Sequence, residues 1–312
     1  MESRTFSRRQ LLRRGVVLGA LAASPAALLA ACGEDAATPA EGDATSAATG
    51  GAAAAAAGAD TLERVREQGF VRIAFANEPP YSEVAEDGVS VTGAAVEVPR
   101  AVLARLGVDE LDGVVIAYDA MIPGLQAERF DMVTAGLFMT PERCEQVIYS
   151  EPDVCGTESF AVLEGNPGGF ASYEDVAAAG AKVGVPGGSV EADYAAEAGV
   201  PDGDIVVIPD SRSGIEALQA GRIDAYGLPS LSIKNLLETA EGLEDVGPLD
   251  GVPVACAGAA FRPSDEAFRD AYNEALQELK DSGEFAEILE SFGFPSDVAM
   301  ETTAEQLCAG EG

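Results

Sequence analysis

Gly187-Gly188-Ser189-Val190-Glu191 lies between a predicted strand at 182–185 and a predicted helix at 189–198. Ahead of a helix, the backbone N–H groups of Gly188, Ser189 and Val190 point outward and can hold an anion such as a carboxylate. Ser189 reads equally as a plain N-cap. The chain of 312 residues has no histidine, which removes the usual general base near neutral pH and the commonest metal ligand. No metal site and no cofactor are expected. Acidic residues number 53 against 19 basic ones, a formal net charge of −34, and lysine occurs only at Lys182, Lys234 and Lys280. Such a surface repels nucleic acid and anionic membranes. It suits high salt, where screening removes the self-repulsion, or it reflects a compositional bias of the lineage.

The positioning elements alternate. Residues 61–68 predict a short helix and 70–76 a strand, followed by the loop Asn77-Glu78-Pro79-Pro80-Tyr81. A helix at 93–106, a strand at 113–117, a short helix at 121–127 and a strand at 130–135 come next. Thr140-Pro141-Glu142-Arg143 opens another helical turn, with Thr as cap and Pro at the first position. The pattern then restarts with strands at 182–185, 204–208 and 223–227 and helices at 189–198 and 213–220. This alternation predicts an α/β fold with mostly parallel sheets and helices on their faces.

The N-terminal region differs. A basic stretch containing Arg8-Arg9 precedes an apolar run that ends in Leu29-Ala30-Ala31-Cys32, the plan of an export signal rather than a spanning helix. The ending resembles a bacterial lipobox, in which Cys32 would be lipidated, and Arg8-Arg9 resembles a twin-arginine signal. Residues 34–59 are almost entirely Ala, Gly, Thr, Ser, Glu and Asp, without apolar periodicity or aromatics, and predict a tether. The expected product is lipid-anchored on the outer face of the cytoplasmic membrane.

Gly124-Leu125-Gln126-Ala127-Glu128-Arg129-Phe130-Asp131 is echoed 93 residues later by Ala217-Leu218-Gln219-Ala220-Gly221-Arg222-Ile223-Asp224. The offset is too long for a solenoid and suggests two lobes of like construction. Extended runs at 159–163 and 252–261 would link them. A helix at 264–282, with Phe268, Tyr272, Ala275 and Leu276 on one face, would return to the first lobe.

These residues together carry a resemblance. Ile122-Pro123-Gly124-Leu125, Arg129-Phe130-Asp131, Met139-Thr140-Pro141-Glu142-Arg143, Gly187-Gly188-Ser189-Val190-Glu191 and Gly221-Arg222-Ile223-Asp224-Ala225 occur in order, after a first strand with an acidic and aromatic loop. The stretch 60–300 resembles the amino-acid-type (family 3) solute-binding proteins of ABC importers. Phe75-Ala76-Asn77-Glu78, Pro80-Tyr81, Thr140 to Val147 and Ala304-Glu305 with Leu307-Cys308-Ala309 are similar to the ectoine- and hydroxyectoine-binding members. The resemblance implies a type II periplasmic-binding-protein fold. Its expected parts are a signal over 1–32, a tether over 33–59, a first lobe from 60–155 and 257–312, and a second lobe from 156–256. It also implies a monomer that delivers its ligand to a permease.

The resemblance places Arg143 against a ligand carboxylate, where a planar guanidinium can meet both oxygens; a surface pair with Glu142 or Glu145 is the alternative. It sets Tyr81, Tyr118 and Phe138 around the ligand, with Glu78 at the rim; ordinary core packing is the alternative for the rings. Amino-acid receptors usually carry an aspartate shortly after the second Gly-Arg-x-Asp turn, to hold an α-ammonium, but here Pro229 stands in that place. A ring-bound, delocalised cation with a carboxylate therefore fits better, and ectoine is such a molecule. Ser211 is a candidate partner for the extra hydroxyl of hydroxyectoine. A polar amino acid is the alternative ligand. A cyclohexadienyl-dehydratase-like enzyme is a further alternative, with Glu78 as its main acid or base. Four cysteines follow Cys32, and three pairings are open to them. Cys155 with Cys256, both near the proposed crossovers, leaves Cys144 with Cys308; four free thiols are the alternative.

Overall fold

Phe70–Phe75 buries Val71, Ile73, Ala74 and Phe75 and exposes Arg72, because it runs through the interior of a sheet in the computed structural model, which describes residues 61–310. The signal over 1–32, Cys32 and the tether over 33–59 lie outside the described residues. A helix over 61–68 leads into this strand. The first sheet has the order Glu110–Val115, Phe70–Phe75, Met132–Val133, Ala260–Phe261, Ile148–Tyr149. The second has the order Ile205–Ile208, Val183–Pro186, Ala225–Pro229, Glu158–Leu163, Leu243–Val246. In each sheet one strand is reversed against the others, Ala260–Phe261 in the first and Glu158–Leu163 in the second. The sheets are thus mixed and share one strand order, the two-lobed α/β arrangement.

The repeated turn has a physical reason. The Asp131 N–H donates to the Arg72 carbonyl at 2.8 Å while the Arg72 N–H donates to Asp131 Oδ2 at 2.9 Å. Asp224 and Lys182 exchange the same two bonds, both at 2.8 Å. Each aspartate locks the start of a strand to the strand beside it. The turn before it needs a left-handed residue, supplied by Gly221 in one copy and by Glu128 (φ 56°) in the other.

One apolar core gathers residues from before 156 and after 254, with Val190 reaching in from the intervening stretch. Helices Ala94–Arg105, Glu266–Ser282 and Glu284–Ser291 pack together over it. Phe268, Tyr272, Ala275 and Leu276 form the buried face of the long helix, joined by Leu279. Two further clusters lie among residues 160–249.

Of the two expected links, the run 252–261 contains a crossing strand, Ala255–Ala257, while the other differs from the sequence expectation. Residues 159–163 do not cross between lobes. Glu158–Leu163 pairs with a strand on each side and is buried through Val162. The crossing is made by Val154–Gly156 paired antiparallel with Ala255–Ala257. The disulfide Cys155–Cys256 joins residues directly opposite in that ladder, with Cα atoms 4.0 Å apart. We place the boundary between lobes within this ladder. A second disulfide, Cys144–Cys308, ties helix Pro141–Cys144 to helix Ala304–Cys308.

Candidate functional site

The loop after Phe70–Phe75 is closed by backbone bonds between Glu78 and Ser82, at 2.7 and 3.1 Å, and by the Ser82 hydroxyl donating to the Ala76 carbonyl at 2.6 Å. This holds Glu78 and Tyr81 inward, both buried. The Tyr81 ring stands edge-on to Phe138, with centroids 5.9 Å apart, and to Phe294, at 4.7 Å. Its hydroxyl rests against Gly156, where any Cβ would collide with it. Tyr118 begins helix Tyr118–Gln126; its hydroxyl donates to the Ala135 carbonyl at 3.2 Å and lies 3.4 Å from Glu78 Oε2. Phe138 is buried and bridges to Ala257 beside the crossover.

Arg143 sits on the four-residue helix Pro141–Cys144, whose Thr140 cap accepts from the Arg143 N–H. Its guanidinium donates to the Phe138 carbonyl at 2.6 Å and to the Gly188 carbonyl at 2.9 Å. It thereby bridges the two lobes. Among the described residues no carboxylate lies within 4.0 Å of it, so the surface pair with Glu142 or Glu145 does not form. Gly188 presents its carbonyl to this arginine. Its φ of 74° and its approach to Asp119, which would leave a Cβ only 2.7 Å from the Asp119 backbone, both require glycine. Ser189 holds the N-cap position of helix Val190–Glu197 without making a side-chain cap bond, and its buried hydroxyl turns to the Glu191 carboxyl instead.

Glu78, Tyr81, Tyr118, Phe138 and Arg143 from one lobe meet Ser189 and Val190 from the other around a cavity of about 10 Å³, room for about one water. Gly136, Glu191 and Pro229 complete its lining. Ser211 lies elsewhere, on an adjoining groove of about 660 Å³ that Glu78 and Tyr118 also border. There Asp210 caps helix Ser211–Gln219 through the Ser213 N–H. The structure therefore brings the predicted cleft residues together, with Gly188 contributing a carbonyl and Ser211 standing apart.

The cavity is rich in buried acid. Burial, followed by the charge of Glu191, pushes the Glu78 carboxyl up to about 8, against the pull of the Ser232 hydroxyl, which donates to it at 2.9 Å, and of Tyr118. Burial also raises Glu191. Glu158, behind it at the start of Glu158–Leu163, is raised well above the carboxylate range by burial and then by the charges of Glu191 and Glu78. Such a site can take a cation against its acid side and a carboxylate at Arg143, and its aromatic faces favour a cation that is flat and delocalised. Glu158 and Ser232 have no signal in the sequence that separates them from ordinary polar positions. Glu191 directly follows the helix-opening motif, the one hint available.

The sequence profile of the bacterial extracellular solute-binding proteins, family 3, matches residues 71–295. This chain belongs to that family. A family 3 relative described as a probable amino-acid ABC transporter periplasmic-binding protein, y4tE of Sinorhizobium fredii (strain NBRC 101917 / NGR234), is 38% identical over 263 residues, covering 81% of this chain and 87% of its own. Among solved structures, EhuB in complex with hydroxyectoine superposes with a TM-score of 0.77 at 52% identity, over 79% of this chain and 97% of that one. The ancestral amino-acid-binding protein AncCDT-1, a precursor of cyclohexadienyl dehydratase, gives a TM-score of 0.66 at 25% identity, over 74% and 99%.

Proposed function

We propose that this family 3 protein is the receptor of an ABC importer and that its ligand is ectoine or hydroxyectoine. One observation carries the reading. The cavity is lined by the rings of Tyr81, Tyr118 and Phe138 together with Glu78 and Arg143, and has Pro229 rather than an aspartate in its wall. The aspartate with which amino-acid receptors hold an α-ammonium is missing at Pro229, and the carboxyls present, Glu78 and Glu191, stand elsewhere in the lining. A cyclic amidinium spreads its charge over a plane and gains about 0.5–2 kcal/mol on a good aromatic face. Its N–H groups have Glu78 as acceptor, and its carboxylate can meet the guanidinium donors that Arg143 does not spend on Phe138 and Gly188. The likeness to EhuB supports the same ligand class.

A cavity of about 10 Å³ is far smaller than such a ring. The lobes therefore part to admit the ligand and close on it, each contributing contacts that the other cannot. The closed form is the one the permease would recognise. Lipidation at Cys32, with the tether behind it, would hold the receptor at the membrane; one acyl chain binds weakly and two or more bind stably.

Titration calorimetry with ectoine, hydroxyectoine, proline, glutamate and arginine tests the proposal. Saturable one-site binding of an ectoine with the amino acids silent is the expected result. Binding of an α-amino acid with both ectoines silent would overturn the ligand assignment and leave the receptor role. Conversion of a bound ligand during the titration would favour the dehydratase alternative.

A further inference from the structure

Glu158 is 1% exposed and Glu191 is 3% exposed. Neither oxygen of Glu158, nor Oε2 of Glu191, accepts a bond from any N–H or O–H of the described residues. Glu78 differs, since Ser232 Oγ and the Tyr118 hydroxyl both face its carboxyl. The backbone of Glu158 is fixed opposite Pro229 in the sheet, and its carbonyl accepts from the Leu249 N–H at 2.9 Å. Its side chain meets that of Glu191, which lines the ligand cavity. Two carboxylates cannot bond to each other unless a proton lies between them, and two bare charges in contact within a protein interior are not both sustained.

The groups facing the pair supply little positive charge. Glu78 and Tyr81 approach from the first lobe, and Tyr173 and Tyr194 from the helices of the second. Arg143 is the one cation that acts on Glu191, from beyond 4.0 Å.

We propose that Glu158 and Glu191 share one proton and that Glu158 is thereby the positioning residue that turns the free oxygen of Glu191 toward the ligand. Together with Glu78, Glu191 would grip the ligand's N–H groups from the opposite lobe. This last point rests on the ligand class proposed above. The shared proton does not.

The test uses the full chain and the Glu158→Gln variant, whose amide donates to Glu191 permanently. Glu158→Gln should keep its ectoine affinity within about threefold of wild type at pH 6, because the amide supplies the donor that the shared proton supplies. Glu158→Leu, which offers no donor, should bind at least about tenfold more weakly at every pH. Unfolding without ligand provides the independent arm. The pair holds its proton in the folded state to a higher pH than separate carboxyls do in the unfolded chain, so its contribution is lost as pH rises from the carboxylate range. Wild type should lose more stability than Glu158→Gln between pH 5 and 9. If ectoine does not bind, only the ligand assignment falls and the unfolding arm decides. Equal loss of stability in wild type and Glu158→Gln between pH 5 and 9 overturns the shared proton, and ectoine binding by Glu158→Leu within about threefold of wild type overturns the positioning role.

Discussion

Replacing Arg143 by alanine should remove ligand binding while leaving the fold in place. The side chain is half-buried, and its backbone cap to Thr140 does not depend on the guanidinium. What is lost is specific to the closed, liganded form. The interlobe bond to the Gly188 carbonyl disappears, and a hydrogen bond from a charged donor contributes about 1.5–3 kcal/mol. A buried ligand carboxylate left without its partner costs about 2–5 kcal/mol. Because the two terms share one side chain they do not add fully, and a loss of about 3–6 kcal/mol is expected, a hundred- to ten-thousand-fold in Kd. Arg143→Lys keeps the charge without the fork and should fall between. Calorimetric titration with ectoine reads the affinity, and urea unfolding checks that the variant folds with a loss of no more than about 1–2 kcal/mol. An alanine variant binding within threefold of wild type would refute the carboxylate role of Arg143 and with it the orientation of the ligand.

Phe138→Leu keeps most of the buried volume and removes the aromatic face, so ligand affinity should fall about 2- to 30-fold in the same titration, with a modest stability cost. The double variant Cys144→Ser/Cys308→Ser opens a link between residues 164 apart and should lower stability by about 2–5 kcal/mol, read as a lower urea midpoint. Asp153 is raised to about 8 by burial, against the pull of Lys280. Its folded form holds a proton that the unfolded chain releases near pH 4, so stability should decline as pH rises between about 4 and 8. Thermal unfolding in high salt, where surface repulsion is screened, should show that decline, and Asp153→Asn should flatten it. Glu128→Gly relieves a left-handed residue that the other lobe already fills with Gly221, and Tm should rise, by an amount equivalent to about 1 kcal/mol. An unchanged or lower Tm would show that the turn carries no strain.

The repeated turn shows how much of the fold was legible. The pattern Arg-x-Asp was visible twice because a reciprocal backbone and side-chain lock needs an aspartate at one fixed place. The strand at 70–75 and the long helix at 266–282 were legible because their apolar periods match their buried faces. Glu158–Leu163 was misread as a link because an apolar run reads the same whether it crosses between lobes or fills a sheet from both sides. The crossover itself, Val154–Gly156, is only three residues long and carries no periodicity. Arg143 could be singled out through its motif, but its bond to Gly188 spans 45 residues and exists only once the lobes meet. Ser211 lies on the adjoining groove rather than on the cavity, and its neighbour Asp210 caps the helix that begins there. Glu158 was invisible because a glutamate at a strand start is commonplace; its burial depends on what the second sheet packs against it.

The cystine between Cys155 and Cys256 gives the crossover a mechanical character. Two separate strands could shear past one another or twist independently, and the halves they join could swivel as well as hinge. Cross-linked at directly opposed residues, they form a single leaf spring whose easy deformation is bending. The lobes then return to the same alignment on every cycle, so the Arg143 guanidinium meets the Gly188 carbonyl in one register. Tyr81 presses its hydroxyl on Gly156, the residue next to that cross-link, while its ring faces the cavity. A side chain that lines the cavity is thus seated against the crossover, and any bending there would be felt at the cavity wall through one rigid ring.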